Sequence, residues 1–197
     1  MGTEIRSLCV FCGANPGARE AYVNAARGFG SLLANQKIRV IYGGGNVGLM
    51  GALADGAIAA GGEVIGVIPE ALVRLEVAHR GVTQLRVVGS MHERKAMMAE
   101  LSDAFVALPG GIGTFEELFE IWTWSQLGLH AKPLGLLDVA GYYDHLIAFM
   151  EYAVKEGFLR AENYASLLVD TDAARLLERL RALAPFSGPK WIGRQQT

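Results

Sequence analysis

Neither sign of charge dominates this chain of 197 residues: 18 lysines and arginines stand against 20 acidic residues, a formal net charge of −2. That balance removes any whole-chain electrostatic case for binding nucleic acid or an anionic membrane, and leaves room only for a local basic site. No apolar run approaches the ~18 residues that a membrane-spanning helix needs. The start of the chain lacks a basic segment leading into a long apolar stretch, so no signal peptide is read and the cytoplasm is the expected location. Cysteine is scarce. The two present, Cys9 and Cys12, have C-x-x-C spacing, but such redox motifs normally open a helix whose dipole activates a thiolate. Here Cys9 lies in an apolar run and Cys12 precedes a Gly-Ala-Asn-Pro-Gly turn. No second pair exists to complete a zinc site. Both are read as ordinary buried cysteines.

What is abundant is apolar surface and glycine. Hydrophobic residues make up 51% of the chain and charged ones 19%, the balance of a folded globular protein. The 25 glycines cluster in short groups, which points to tight turns and close backbone approach. Short apolar runs at 7–11, 39–42, 64–68, 85–88, 104–108, 134–137 and 166–169 predict strands covered on both faces. Amphipathic stretches at 18–35, 48–60, 91–102, 115–127, 142–156 and 172–183 predict helices between them. The alternation implies an α/β fold, a doubly wound, mostly parallel sheet of about seven strands with helices on both faces, Rossmann-like. Residues 1–184 form one domain in this reading, and 185–197, rich in proline, glycine and polar residues, a loosely attached tail. Ligands of such sheets bind at the carboxyl ends of the strands.

Two glycine loops follow expected strands. The first, Tyr42-Gly43-Gly44-Gly45-Asn46-Val47-Gly48, contains G-x-G-x-x-G between a strand and a helix. Gly43, Gly44 and Gly45 are therefore candidate nucleotide contacts. The dinucleotide version also needs an acidic residue ending the next strand, and only Glu70, after Pro69, is near it. Glycines that merely permit tight strand–helix packing are the other reading. The second loop, Leu108-Pro109-Gly110-Gly111-Ile112-Gly113-Thr114, leads into a helix expected near Phe115. Converging N–H groups and the helix's positive end make phosphate its natural occupant. No Gly-Lys-Ser/Thr follows, so it is not a triphosphate loop. Thr114 and Glu117 have capping-box spacing, and Glu116, Glu117 and Glu120 suit a helix start. Glu117 is thus open to two readings, helix cap or catalyst.

Ser90-Met91-His92-Glu93-Arg94-Lys95 opens another helix, with Ser90 and Glu93 as a second capping box. Arg94 and Lys95 near that start oppose the dipole, and an anionic ligand would reverse the sign. A solvated surface pair is the plainer alternative. Ala96 stands where H-E-x-x-H needs its second histidine, which rules out that zinc motif.

These pieces together resemble the lonely-guy family, the cytokinin riboside 5′-monophosphate phosphoribohydrolases, long labelled lysine decarboxylases. The match comprises Val10-Phe11-Cys12-Gly13, the Tyr42–Gly51 loop, Met91-His92-Glu93-Arg94-Lys95, and Pro109-Gly110-Gly111-Ile112-Gly113-Thr114-Phe115-Glu116-Glu117. It continues through Trp122-Thr123-Trp124-Ser125-Gln126-Leu127-Gly128 and Lys132-Pro133-Leu134-Gly135-Leu136-Leu137. The resemblance implies hydrolysis of the N-glycosidic bond of a nucleoside 5′-monophosphate, a cytokinin precursor or AMP, without metal or cofactor. It implies that Arg94 and Glu117 are catalytic. Glu76, Lys95, Gly110, Gly111, Ile112, Gly113, Thr114, Phe115, Glu116 and Thr123 would contact the nucleotide. It also implies a homodimer paired near the site, with the apolar segment 121–129 as one candidate contact. The pyridoxal phosphate that a decarboxylase needs would have to sit on a lysine, and Lys95 beside Arg94 suits anion binding better. The rival of another class is a nucleotide or molybdenum-cofactor carrier of the same fold, which needs a phosphate grip and no carboxylate at the sugar.

Overall fold

The structure, a computed structural model, describes residues 4–73 and 78–183. The expected tail and Glu76 lie outside these residues.

Seven strands form one sheet: β1 (Ser7–Phe11), β2 (Arg39–Tyr42), β3 (Val64–Pro69), β4 (Gln84–Val88), β5 (Ala104–Ala107), β6 (Leu134–Leu137) and β7 (Leu167–Asp170). Their order is β4-β3-β2-β1-β5-β6-β7, and every neighbouring pair is parallel. The strands that carry near-continuous apolar runs, β1, β3, β5 and β6, are buried along their whole length, because helices cover both faces. At one edge β4 is different, with Gln84, Arg86 and Val87 exposed.

The helices are α1 (Glu20–Asn35), α2 (Gly48–Ala59), α3 (Glu70–Val73), α4 (Met91–Glu100), α5 (Ile112–Gln126), α6 (Asp144–Lys155), α7 (Ala161–Ala165) and α8 (Ala173–Ala182). One apolar cluster joins Phe29 and Leu33 of α1, Leu53 of α2 and Leu176 and Leu180 of α8 to one face of the sheet. A second joins Met98 of α4, Leu118, Ile121 and Trp122 of α5 and Met150 of α6 to the other. The C-x-x-C cysteines fall into different clusters, Cys9 in the second and Cys12 in the first. Burial pushes both thiols well above their ordinary range, which disfavours the thiolate that redox chemistry needs. Among the described residues no helix is long and apolar enough to cross a membrane.

Two short helices, α3 and α7, were not expected, since four and five residues are too few to show a helical period. A more consequential correction concerns α5, which begins at Ile112, a turn before the expected start. Its N-cap is Gly111, and no side chain caps it. Thr114 is inside the first turn, so the Thr114–Glu117 capping box does not form. Nor is there an acidic residue in that first turn, which removes the dipole argument for Glu116, Glu117 and Glu120. The Ser90 cap does form: its Oγ accepts from the Glu93 N–H at 3.1 Å. The Glu93 carboxylate reaches back to the N–H of Gly89 at 2.7 Å, one residue further than the motif predicts.

Because the strand order reverses at β1, the loops after β1 and β5 diverge and leave a crevice above the carboxyl ends of the two strands.

Candidate functional site

That crevice holds a cavity of about 500 Å³. Its walls come from the loops after β1 (Gly13, Asn15), β2 (Gly43) and β5 (Pro109, Gly110, Gly111), from Met91 and Arg94 of α4, from Thr114 and Glu117 of α5, and from Tyr142 before α6.

Arg94 and Glu117 meet at its floor. The Arg94 Nη2 lies 3.6 Å from Glu117 Oε1, and both side chains are buried, which excludes the solvated-surface reading for Arg94. Glu117 is six residues beyond the N-cap, out of reach of the helix start, so the cap reading of this residue falls away. Arg94 also donates from Nη2 to the Gly43 carbonyl at 3.4 Å. Its Nε is buried without a hydrogen-bond partner among the described residues. A Cβ at Gly43 would lie 2.0 Å from Arg94 Nη2, so glycine is what lets the guanidinium cross to Glu117.

Lys95 takes a separate course. Its buried ammonium pairs with Glu116 and, at 2.9 Å, with Glu120, the next turn along α5. Desolvation works against that charge, but the hydrogen bonds to both carboxylates outweigh it and hold the Lys95 pKa above the ordinary lysine value. Arg94–Glu117 and Lys95–Glu116 are thus two ion pairs side by side, between the same two helices, and only the first has both members buried. Glu116 lines the cavity, but Lys95 does not. Thr123 is exposed well down α5, away from the cavity, and Ile112 is 87% exposed. Phe115 turns toward the ring of Tyr143, 6.3 Å away.

The glycine loops differ in what their helix starts offer. At α2 the N–H groups of Leu49 and Met50 both donate to the Gly13 carbonyl, at 3.0 and 3.3 Å. Gly44 packs behind the cavity against Ile68 and Leu85, its carbonyl accepting from the His79 N–H at 3.0 Å, and Gly45 bridges to Ala78. Of Gly43, Gly44 and Gly45, only Gly43 reaches the cavity. At α5, by contrast, Gly111, Gly113 and Thr114 line the cavity, and a Cβ at Gly111 or Gly113 would meet nothing within 4 Å. The first-turn N–H groups of an α-helix have no intrahelical acceptor, so this uncapped end is suited to an anion.

Residues that motif reading missed include Asn15, Tyr22, Leu72 and Tyr142. Asn15, Leu72 and Tyr142 follow β1, β3 and β6, so the rule that ligands bind at strand ends could have found them; nothing in the local pattern marks Tyr22, which lies in α1. Among the described residues no group of three or more histidine, cysteine or acidic side chains is placed to hold a metal ion.

Residues 50–180 match the family described as "Possible lysine decarboxylase". The chain is 49% identical over 178 residues to a cytokinin riboside 5′-monophosphate phosphoribohydrolase of Rhodococcoides fascians, covering 90% of each chain. It is 44% identical over 183 residues to one of Arabidopsis thaliana, covering 93% of this chain and 85% of the relative. Among solved structures, the molybdenum cofactor carrier protein of Chlamydomonas reinhardtii superposes with a TM-score of 0.68 over 90% of this chain and 98% of that one. At 22% identity that likeness shows the shared fold alone. With relatives this similar along nearly its whole length, the chain belongs to the family of the cytokinin riboside 5′-monophosphate phosphoribohydrolases.

Proposed function

We propose that the protein hydrolyses the N-glycosidic bond of nucleoside 5′-monophosphates, cytokinin riboside monophosphates or AMP, releasing free base and ribose 5-phosphate. The observation that carries this reading is the buried Arg94–Glu117 pair at the floor of a cavity whose rim is an uncapped helix start. A phosphate on the N–H groups of Gly111, Gly113 and Thr114 would set the ribose over the Glu117 carboxylate. As the bond to the base breaks, its electron pair leaves with the base and the sugar gains oxocarbenium character. A carboxylate beside that carbon stabilises the charge, and it can take the proton of the attacking water, whose oxygen bonds to the sugar carbon while the departing nitrogen of the base takes up a proton. Arg94 holds Glu117 in place and is within reach of the ribose hydroxyls or phosphate. The relatives' names supply the substrate class.

The decarboxylase label in the family description fits the residues poorly. A Schiff base needs an uncharged lysine amine facing the cavity. No described lysine lines it, and Lys95 is held as an ammonium by two carboxylates. A homodimer and a cytoplasmic location belong to the same proposal. Leu127 and Leu129, the latter 69% exposed, leave an apolar end on α5 beside the exposed Thr123, a surface that a second copy would cover.

The test is incubation of purified protein with AMP, isopentenyl-AMP and the matching unphosphorylated nucleosides, with free base measured chromatographically. Release from the monophosphates alone is expected, and the relative rates rank the bases. Binding of AMP with no base released from any substrate would overturn the hydrolase reading in favour of a carrier.

A further inference from the structure

Three successive carbonyls of the β5–α5 loop each accept a hydrogen bond from another part of the chain. The Leu108 oxygen accepts from Tyr143 Oη at 2.6 Å, the Pro109 oxygen from the Gly13 N–H at 3.0 Å, and the Gly110 oxygen from Tyr142 Oη. An anion approaching this loop therefore faces no unengaged carbonyl from 108 to 110. The Gly110 bond has a further effect. The Gly110 carbonyl and the Gly111 N–H belong to one planar trans peptide and point in opposite directions. A carbonyl pinned by Tyr142 thus directs the Gly111 N–H away from that hydroxyl.

Two adjacent tyrosines supply two of these three donors, and their surroundings differ. Tyr143 is fully buried, and its backbone N–H donates to the buried Asp138 at 2.8 Å. Tyr142 is 36% exposed and lines the cavity. Its ring is set edge-on between Tyr22 and Tyr143, with centroids at 5.7 and 5.0 Å. The turn that delivers it is unusual, since Ala140 and Gly141 both have positive φ, 55° and 70°. The Ala140 carbonyl is held by Arg19 at 3.2 Å. A non-glycine residue in the left-handed region persists only where its surroundings demand it, which gives the placement of Tyr142 a structural cost.

We infer that Tyr142 is a positioning residue for phosphate: its hydroxyl orients the Gly110–Gly111 peptide so that the loop presents N–H groups, not carbonyls, to the anion. Tyr142 donates its one hydroxyl proton to the loop and so is not itself the phosphate contact. This inference rests on the nucleotide reading of the cavity, and its test does not require turnover.

The experiment compares wild type with Tyr142→Phe, which keeps the ring and removes only the hydroxyl. AMP affinity is measured by calorimetry, and inorganic phosphate is titrated as a competitor. Loss of one neutral hydrogen bond predicts that AMP and phosphate weaken together, by about three- to tenfold, with the melting temperature nearly unchanged. Where base release is observed, KM for the monophosphate rises by the same factor while kcat stays within about twofold of wild type. Weakened AMP with unchanged phosphate would place the effect on base or sugar and overturn the inference. So would unchanged affinity for both, or a wild type that binds neither. A wild type that binds AMP without releasing base removes the hydrolase reading and leaves this inference standing or falling on the affinities alone.

Discussion

At the end of β2 a Cβ on Gly48 would lie 2.3 Å from the backbone of Ala14, and one on Gly51 2.5 Å from the Asn46 carbonyl oxygen. At the end of β5 the same test on Gly111 and Gly113 finds nothing within 4 Å. The first loop spends its glycines on packing: the β1 loop sits against Gly48, and its Gly13 carbonyl takes the N–H groups of the α2 start. The second loop packs Gly110, where a Cβ would lie 2.1 Å from Thr114 Oγ1, but leaves space at Gly111 and Gly113 and an uncapped helix end. Two loops of similar composition, each joining a strand to a helix, thus do different work. The G-x-G-x-x-G spacing in the first is the better-known nucleotide signature, yet its main service is to shape the wall and admit Arg94 past Gly43. Arg94 ties the two loops together, touching the Gly43 carbonyl on one side and Glu117 on the other.

Substitutions that separate packing from chemistry test this contrast. The largest effect is expected from Glu117→Gln, which should lower base release by about 10²- to 10⁴-fold, with melting temperature and AMP affinity close to wild type. Parallel loss of activity and folding would return Glu117 to a structural role. Gly48→Ala comes next. It strains a residue at φ 60° and drives a methyl into the Ala14 backbone, so a loss of about 3 kcal/mol is expected in denaturant unfolding. Arg94→Ala should weaken AMP binding and turnover by roughly tenfold to a hundredfold through loss of a charge-assisted contact. Unchanged kcat/KM and affinity would exclude Arg94 from the site. The smallest effect on stability belongs to Gly113→Ala, where open space and a helical backbone predict a gain of up to about 1 kcal/mol. The same methyl stands on the face proposed for phosphate, so AMP affinity should fall as stability rises. If Gly48→Ala and Gly113→Ala changed stability alike, the distinction between the loops would be wrong.

Much of the fold is legible in the sequence. All seven strands lie within one or two residues of their apolar runs, and in β1, β3, β5 and β6 this is because strands buried on both faces carry hydrophobic side chains at nearly every position. The bland reading of Cys9 and Cys12 holds for a reason that the sequence already contained: strand alternation sends Cys9 to one face and leaves Cys12 with the other core. The start of α5 was harder to read. A glycine-rich first turn has neither a capping side chain nor an apolar period, so the visible Thr114–Glu117 spacing suggested a cap that the helix does not use. The burial of Arg94 and Lys95 was also hidden, since charged residues at a helix start are usually solvated.

The sequence alone determined the layered α/β architecture and the position of two glycine loops at the carboxyl ends of strands, since periodicity and turn chemistry are local properties. The tertiary structure decided which groups meet. It separated Arg94, directed to Glu117, from Lys95, one residue away and directed to Glu116 and Glu120. It packed Gly48 and Gly51 of one glycine loop and left Gly111 and Gly113 of the other open, and it brought Tyr142 from beyond β6 onto the Gly110 carbonyl. These outcomes depend on contacts between segments 21 to 51 residues apart along the chain, and no local pattern encodes which neighbour the fold will bring into reach.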